Sequence, residues 1–226
     1  MRAYLRVLGA LIWKDLLLEL RRRERLAAMG AFAVLVAVLF HYAVDRAFVH
    51  PRDIAGGLIW LTVVFAGLLG VGRTFSAEEP EGTLEGLLVS PVPRDAVYLG
   101  KVLANFILVS LVVLLVFGVF ALFFDAGTGG NGMALVGVLG LGTLGFVALA
   151  TLFSAITSGT RMGESLLPVL VFPLIVPVVI FGATGTNRLM AGVSAGEVAG
   201  NLRLLGGFAL LALLAGAFLF RFIVED

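Results

Sequence analysis

Cysteine does not occur in the sequence, which excludes disulfides, thiolate metal sites and cysteine nucleophiles and leaves the redox compartment open. Charge is scarce as well. Only 14% of the 226 residues are Asp, Glu, Lys or Arg, against roughly a quarter in a soluble domain. The net charge is +1, so nucleic acid is not a natural partner. The nearest approach to a phosphate-binding loop, Gly100–Lys101, is followed by valine and lacks the upstream glycine, so no P-loop forms. No zinc-protease H-E-x-x-H is present, and no motif argues for catalysis.

What the chain has in quantity is apolar sequence, 60% of its residues. Six runs have the length of membrane spans: 26–44, 54–72, 102–124, 133–158, 165–183 and 202–220. At about 1.5 Å per residue, nineteen helical residues reach roughly 28 Å, close to the hydrocarbon thickness. Apart from Arg203 at the edge of the sixth, these runs contain no Asp, Glu, Lys or Arg. An ion-coupled carrier places ionisable groups inside its spans, so that class is disfavoured. The expected fold is therefore all-α, a single polytopic membrane domain over 1–226 with six transmembrane helices. The basic start leads into a long apolar run with no small-residue cleavage site and reads as a retained anchor.

Orientation follows from Lys and Arg. The N-terminal segment, the linkers after the second and fourth runs, and the C-terminus carry seven, three, one and one. The opposite side carries Arg46, Arg52, Arg188 and Arg203, so the balance is twelve to four. Both termini are expected in the cytoplasm of a bacterial inner-membrane protein. Residues 1–25 form a helix whose charges spread round the wheel, with Arg21, Arg22, Arg23 and Arg25 beside anionic headgroups. The segment reads as a topology determinant, an interfacial elbow helix, or both.

Small residues mark packing faces. Thr62, Ala66, Gly70 and Thr74 recur every fourth position and admit close helix approach. Gly137, Gly140, Gly142 and Gly145 do the same in the fourth run, and Pro168, Pro173 and Pro177 favour kinks in the fifth. Asn105 suits an interhelical hydrogen bond. Leu189, Met190, Val193 and Val198 fall at helical spacing and suggest a short interfacial helix. His41 and His50 lie near the outer surface, where imidazole serves more often as amphipathic filler than as a metal or haem ligand.

One linker is unlike the rest: Phe75–Asp95, FSAEEPEGTLEGLLVSPVPRD. Pro80 suits the first position of a helix and Glu81 its first turn. Leu84, Leu87 and Leu88 then share a face, and Pro91 and Pro93 end the run. A connector needs only a few polar residues. The leucine face needs cover from headgroups, from the bundle itself or from a soluble partner. Glu78, Glu79, Glu81 and Glu85 would repel anionic lipid, which favours a basic-rimmed protein groove.

The pattern E-x-x-G-T-L-E-x-L-L-x-x-P-V-x-R, carried by Glu79, Gly82, Thr83, Leu84, Glu85, Leu87, Leu88, Pro91, Val92 and Arg94, resembles the first cytoplasmic loop of ABC-2-type exporter permeases. In that superfamily the loop is a coupling helix seated in a separate ATPase. K-D-L-x-L-E-L-R-x-R-E (Lys14–Glu24), L-L-G-V-G-R-T-F (Leu68–Phe75) and L-L-P-V-L-V-F-P-L (Leu166–Leu174) narrow the likeness to the CcmB family of haem exporter permeases. The resemblance implies six spans, a CcmA-like ATPase that supplies ATP hydrolysis, a CcmC-like haem-handling subunit, a CcmD-like small subunit and a CcmE-like haem chaperone. A second copy of the chain is a further expected partner, as is the bilayer itself. It also implies haem as cargo of the complex, in cytochrome c maturation, and no catalysis by this chain. The tryptophan-rich haem motif of the C subunit is absent, since the chain has only two Trp, Trp13 and Trp60. Two other readings suit the same features: an exporter permease for a drug, lipid or polysaccharide, and a non-transporting assembly scaffold.

Overall fold

The computed structural model describes residues 2–44, 50–75, 92–124, 127, 129–158 and 163–223. Seven helices and no strand appear among them: α1 (Arg2–Arg22), α2 (Glu24–Ala43), α3 (Pro51–Val71), α4 (Arg94–Phe124), α5 (Gly132–Thr157), α6 (Gly163–Met190) and α7 (Ala199–Ile223). The last six are long and apolar enough to cross a bilayer. Hydrocarbon offers no partner for a backbone amide, so each run closes its own i→i+4 ladder as a helix.

α1 and α2 are separated by one residue. Arg23 adopts the left-handed conformation, at φ 54°, which turns the chain while hydrogen bonds continue on both sides, from Arg23 N to Glu19 O and from Ala27 N to Arg23 O. α3 and α5 are the most enclosed spans, and α2, α6 and α7 turn most of their side chains outward. On α7 the stripe Leu205, Ala209, Ala212, Gly216 and Phe220 is buried, and α5 packs most extensively against this helix and α6. Leucines such as Leu35, Leu114 and Leu214 face outward, as lipid-facing positions should.

Trp60 of α3 is fully buried. Its ring lies in a slot left by two glycines, where a Cβ at Gly142 of α5 or Gly182 of α6 would fall 2.1 or 2.4 Å from the indole. Its Nε1–H donates to Thr186 Oγ1 at 3.1 Å. Gly145 likewise admits Phe208 and Gly137 admits Leu202, whereas Gly140 faces open space. Near the same end of the bundle, Asn187 Oδ1 accepts from Gly56 N at 2.7 Å and its Nδ2 donates to Asp53 O at 3.0 Å, joining α6 to the start of α3. His41 Nδ1 lies 3.0 Å from Phe123 O, with its ring edge-on to Phe123 and Tyr42.

Two helix ends depart from the sequence expectation. α4 begins at Arg94, not at 102, so 94–101 is helix rather than a connecting stretch. Pro93 supplies the carbonyl that caps Ala96 N and Val97 N, and Asp95 sits in the first turn, where the helix dipole favours an anion. α6 runs on to Met190, through all three prolines. The segment expected to form a separate interfacial helix is instead the last turn of α6, a set of turns over 191–198, and the start of α7.

Candidate functional site

The acidic segment is rooted on the end of α3 and the start of α4, and both roots are fastened by polar contacts inside an otherwise apolar bundle. Residues 76–91 lie outside the described residues. Of the expected coupling residues, Glu78, Glu79, Glu81, Gly82, Thr83, Leu84, Glu85, Leu87, Leu88 and Pro91 fall there, and only Arg94 is described. Its Nη1 donates to Arg221 O at 3.3 Å, joining the start of α4 to the end of α7.

Phe75, the last described residue before the segment, is 1% exposed. Its ring lies 5.7 Å from Phe220 of α7, and Phe220 is equally close to Tyr98 of α4. Lys101 Nζ stands 5.6 Å from the centre of the Phe75 ring, a cation–π distance. The same ammonium pairs with Asp15 Oδ2 of α1 at 3.3 Å, both residues being under a tenth exposed. Lys14 shares that carboxylate at 3.3 Å. One turn further along α1, Glu19 pairs with Arg25 Nε and accepts Leu26 N at 3.2 Å, while Arg25 reaches Gly70 O of α3 at 3.4 Å.

Gly100 makes the α1 contact possible, because a Cβ there would stand 3.1 Å from Leu11. Leu11, Asp15 and Glu19 recur every fourth residue and form the buried stripe of α1. The charges of this helix looked scattered in sequence because its acids face inward while Leu5, Trp13 and Leu20 face out. At its beginning, Tyr4 OH donates to Asp95 Oδ2 at 2.8 Å. Burial and then the Asp95 carboxylate push the Tyr4 phenol up to about 12, so it remains a donor at neutral pH.

Of the packing residues inferred from spacing, Gly70 and Thr74 fall at this joint, and Thr62 and Ala66 lie further along α3. Thr62 and Ala66 are fully buried. Gly70 admits Met29 of α2, whose sulfur is 2.4 Å from where a Cβ would stand. Thr74 Oγ1 donates to Val71 O at 2.7 Å and accepts from Asn105 Nδ2 at 2.9 Å. That Asn105 amide also reaches Thr151 of α5 at 3.2 Å. Ser154 of α5 donates to Gly72 O at 3.2 Å, and Tyr98 OH donates to Ala148 O at 2.9 Å. In a bilayer such bonds contribute roughly 0.6 kcal/mol each, so their effect lies in their number and common location. They tie the two roots to α1, α2, α5 and α7.

Sequence reasoning missed Asp15, Glu19, Lys101 and Thr186 as structural partners. The four-residue spacing of Leu11, Asp15 and Glu19 was the available signal. It also passed over a literal G-x-S-x-G at Gly192–Gly196, which qualifies the absence of enzyme motifs. A nucleophile elbow needs a strand-to-helix turn. This Ser194 follows α6, and its Oγ donates to Glu197 Oε1 at 3.0 Å.

Comparison with known proteins gives a match from end to end. The family model described as "CcmB protein" covers residues 6–225. "Heme exporter protein B" of Rhodobacter capsulatus is 32% identical over 202 residues, 84% of this chain and 92% of that protein. The Pseudomonas aeruginosa protein of the same name is 30% identical over 207 residues, 92% of this chain and 91% of its own length. The Escherichia coli K12 protein of that name is 34% identical over 211 residues, 91% of each chain. A match of this extent over a multi-pass bundle settles kinship: the chain belongs to the CcmB protein family.

Proposed function

We propose that this chain is the permease subunit of an ABC transporter complex for cytochrome c maturation. It couples ATP hydrolysis by a CcmA-like ATPase to haem export or to release of a haem-loaded, CcmE-like chaperone. A CcmC-like haem-handling subunit, a CcmD-like small subunit and a second copy of the chain complete the assembly. The observation that carries this reading is the family match over residues 6–225, reinforced by relatives named "Heme exporter protein B".

In this reading both termini lie in the cytoplasm, as the Lys and Arg balance favours. α1 lies along the inner membrane surface. Its outward Trp13, Leu5 and Leu20 suit the headgroup boundary, as do the exposed Arg21, Arg22 and Arg23. The acidic segment docks on the ATPase, where Glu78, Glu79, Glu81 and Glu85 complement a basic rim. ATPase closure biases the bundle only through contacts that differ between the ATPase states. A displacement of the segment enters at Phe75 and Arg94. From there it passes to α1 through Asp15–Lys101 and Tyr4–Asp95, to α5 through Ser154–Gly72 and Tyr98–Ala148, and to α7 through Phe220 and Arg221.

Cytochrome c haem staining in a strain lacking the chain tests the cargo. Covalent haem should disappear and return on complementation; retention would indicate a drug, lipid or polysaccharide exporter. An ATPase-dead CcmA-like partner should reproduce that loss, whereas a pure scaffold predicts that it does not. Reversing Glu79, Glu81 and Glu85 together to lysine should reduce co-purification of the ATPase by roughly tenfold. Exposed charge pairs contribute up to about 1 kcal/mol each, and reversal adds repulsion. Undiminished recovery would remove the docking role of this segment.

A further inference from the structure

Beside the point where Asn201 of α7 donates to Phe181 O of α6 at 2.9 Å, the two helices line an open groove of about 300 Å³. Pro177 and Phe181 of α6 form one wall, one turn apart, and Arg203, Gly207, Phe208 and Leu211 of α7 form the other. Arg203, Gly207 and Leu211 succeed one another every fourth residue and so share a line down α7, about 12 Å from first to last. Arg203 is exposed, and no carboxylate pairs with it among the described residues. At Gly207 no atom lies within 4 Å of where a Cβ would stand, so the groove wall is open one turn along α7 from Arg203. A cation beside an apolar groove, on two membrane-spanning helices, complements an amphiphile with an anionic head and a hydrocarbon tail.

We propose that this groove is a specific site for one anionic phospholipid, whose phosphate sits on Arg203 while one acyl chain runs over Gly207 towards Leu211. The guanidinium pairs with phosphate oxygens, and it gains more from an anionic headgroup than from a zwitterionic one, whose own ammonium already balances the phosphate and repels Arg203. The apolar lining with its two phenyl rings fits hydrocarbon. The site requires only that α6 and α7 span the bilayer and does not depend on the cargo of the complex.

Native mass spectrometry of the full chain tests it, after extraction from nanodiscs that contain phosphatidylglycerol and phosphatidylcholine with the same acyl chains. The wild-type chain should retain one phosphatidylglycerol in preference to phosphatidylcholine by roughly fivefold, the equivalent of one favourable charge contact at a membrane surface. Arg203→Ala should abolish that preference while leaving weak retention of either lipid. Gly207→Leu should abolish retention of both, with an unchanged thermal transition, because the new side chain enters open space. Equal retention of the two lipids by the wild-type chain would overturn the site, as would undiminished retention by Gly207→Leu. Displacement of the bound molecule by inorganic phosphate alone, or recovery of haem in place of lipid, would also overturn it.

Discussion

Lys101→Met should lower the stability of the bundle by about 3 kcal/mol, the lower end of the 3–5 kcal/mol expected when one partner of a buried ion pair is removed. The lower end applies because Lys14 also reaches Asp15, at 3.3 Å. Asp15→Leu in the otherwise unaltered chain should cost at least as much. The informative case is the double substitution, Asp15→Leu with Lys101→Met. Both residues are under a tenth exposed, so replacing the pair with packed hydrocarbon removes two desolvated charges together and should recover most of the loss. Thermal loss of monodisperse protein in mild detergent measures all three variants. A double variant no more stable than the sum of the singles would mean that the two residues do not act as a pair. Haem staining adds a functional readout. If the pair transmits displacement from the coupling segment to α1, the double variant should fold and still mature cytochrome c poorly.

Trp60→Ala should also cost about 3 kcal/mol, for a different reason. In water-soluble cores such a truncation removes 3–5 kcal/mol, part of it from transfer out of water and part from the cavity left behind. Within a bilayer the alternative environment is itself apolar, so the transfer part largely vanishes and lost packing dominates. The slot between Gly142 and Gly182 holds the flat ring in close approach to both glycines. Thr186 would also lose the indole N–H that it accepts at 3.1 Å. Trp60→Phe should cost less, because a ring still occupies the slot. A cost for Trp60→Ala below about 1 kcal/mol would mean that α5 and α6 collapse onto α3 without strain.

The spans were legible because hydrocarbon imposes one rule on every residue that crosses it. Uninterrupted apolar length located all six, and the proline-broken run emerged as one continuous helix, α6. What failed was the treatment of charge as a boundary. Lys101 counts in sequence among the cations of a cytoplasmic linker, whereas the helix that carries the third run already begins at Arg94 and takes Lys101 into its length. Its partner, Asp15, lies 86 positions away in sequence, and no local pattern announces that a charge will be neutralised at that range. Spacing likewise identified the glycines of α5 without their roles. Gly142 receives an indole while Gly140, two residues away, faces open space, and only the partner helices make that distinction. Asn105 was read correctly as an interhelical donor, because a carboxamide deep in a span has few other options. The acidic segment was visible in sequence through composition, proline placement and family likeness. Its role rests on those and on the fastening of its two roots.

The two indoles occupy opposite extremes of the molecule. Trp60 is fully enclosed and Trp13 is 66% exposed on the outward face of α1, and the chain has no third tryptophan. A Trp13→Phe chain therefore carries a single emitter sealed between helices and shielded from quenchers on either side of the membrane boundary. A Trp60→Phe chain carries one open to them. Quenching by brominated acyl chains in the second would measure how deeply α1 sits. Its change when nucleotide is added to a complex with the proposed ATPase partner would report, without any added label, whether the amino-terminal helix moves.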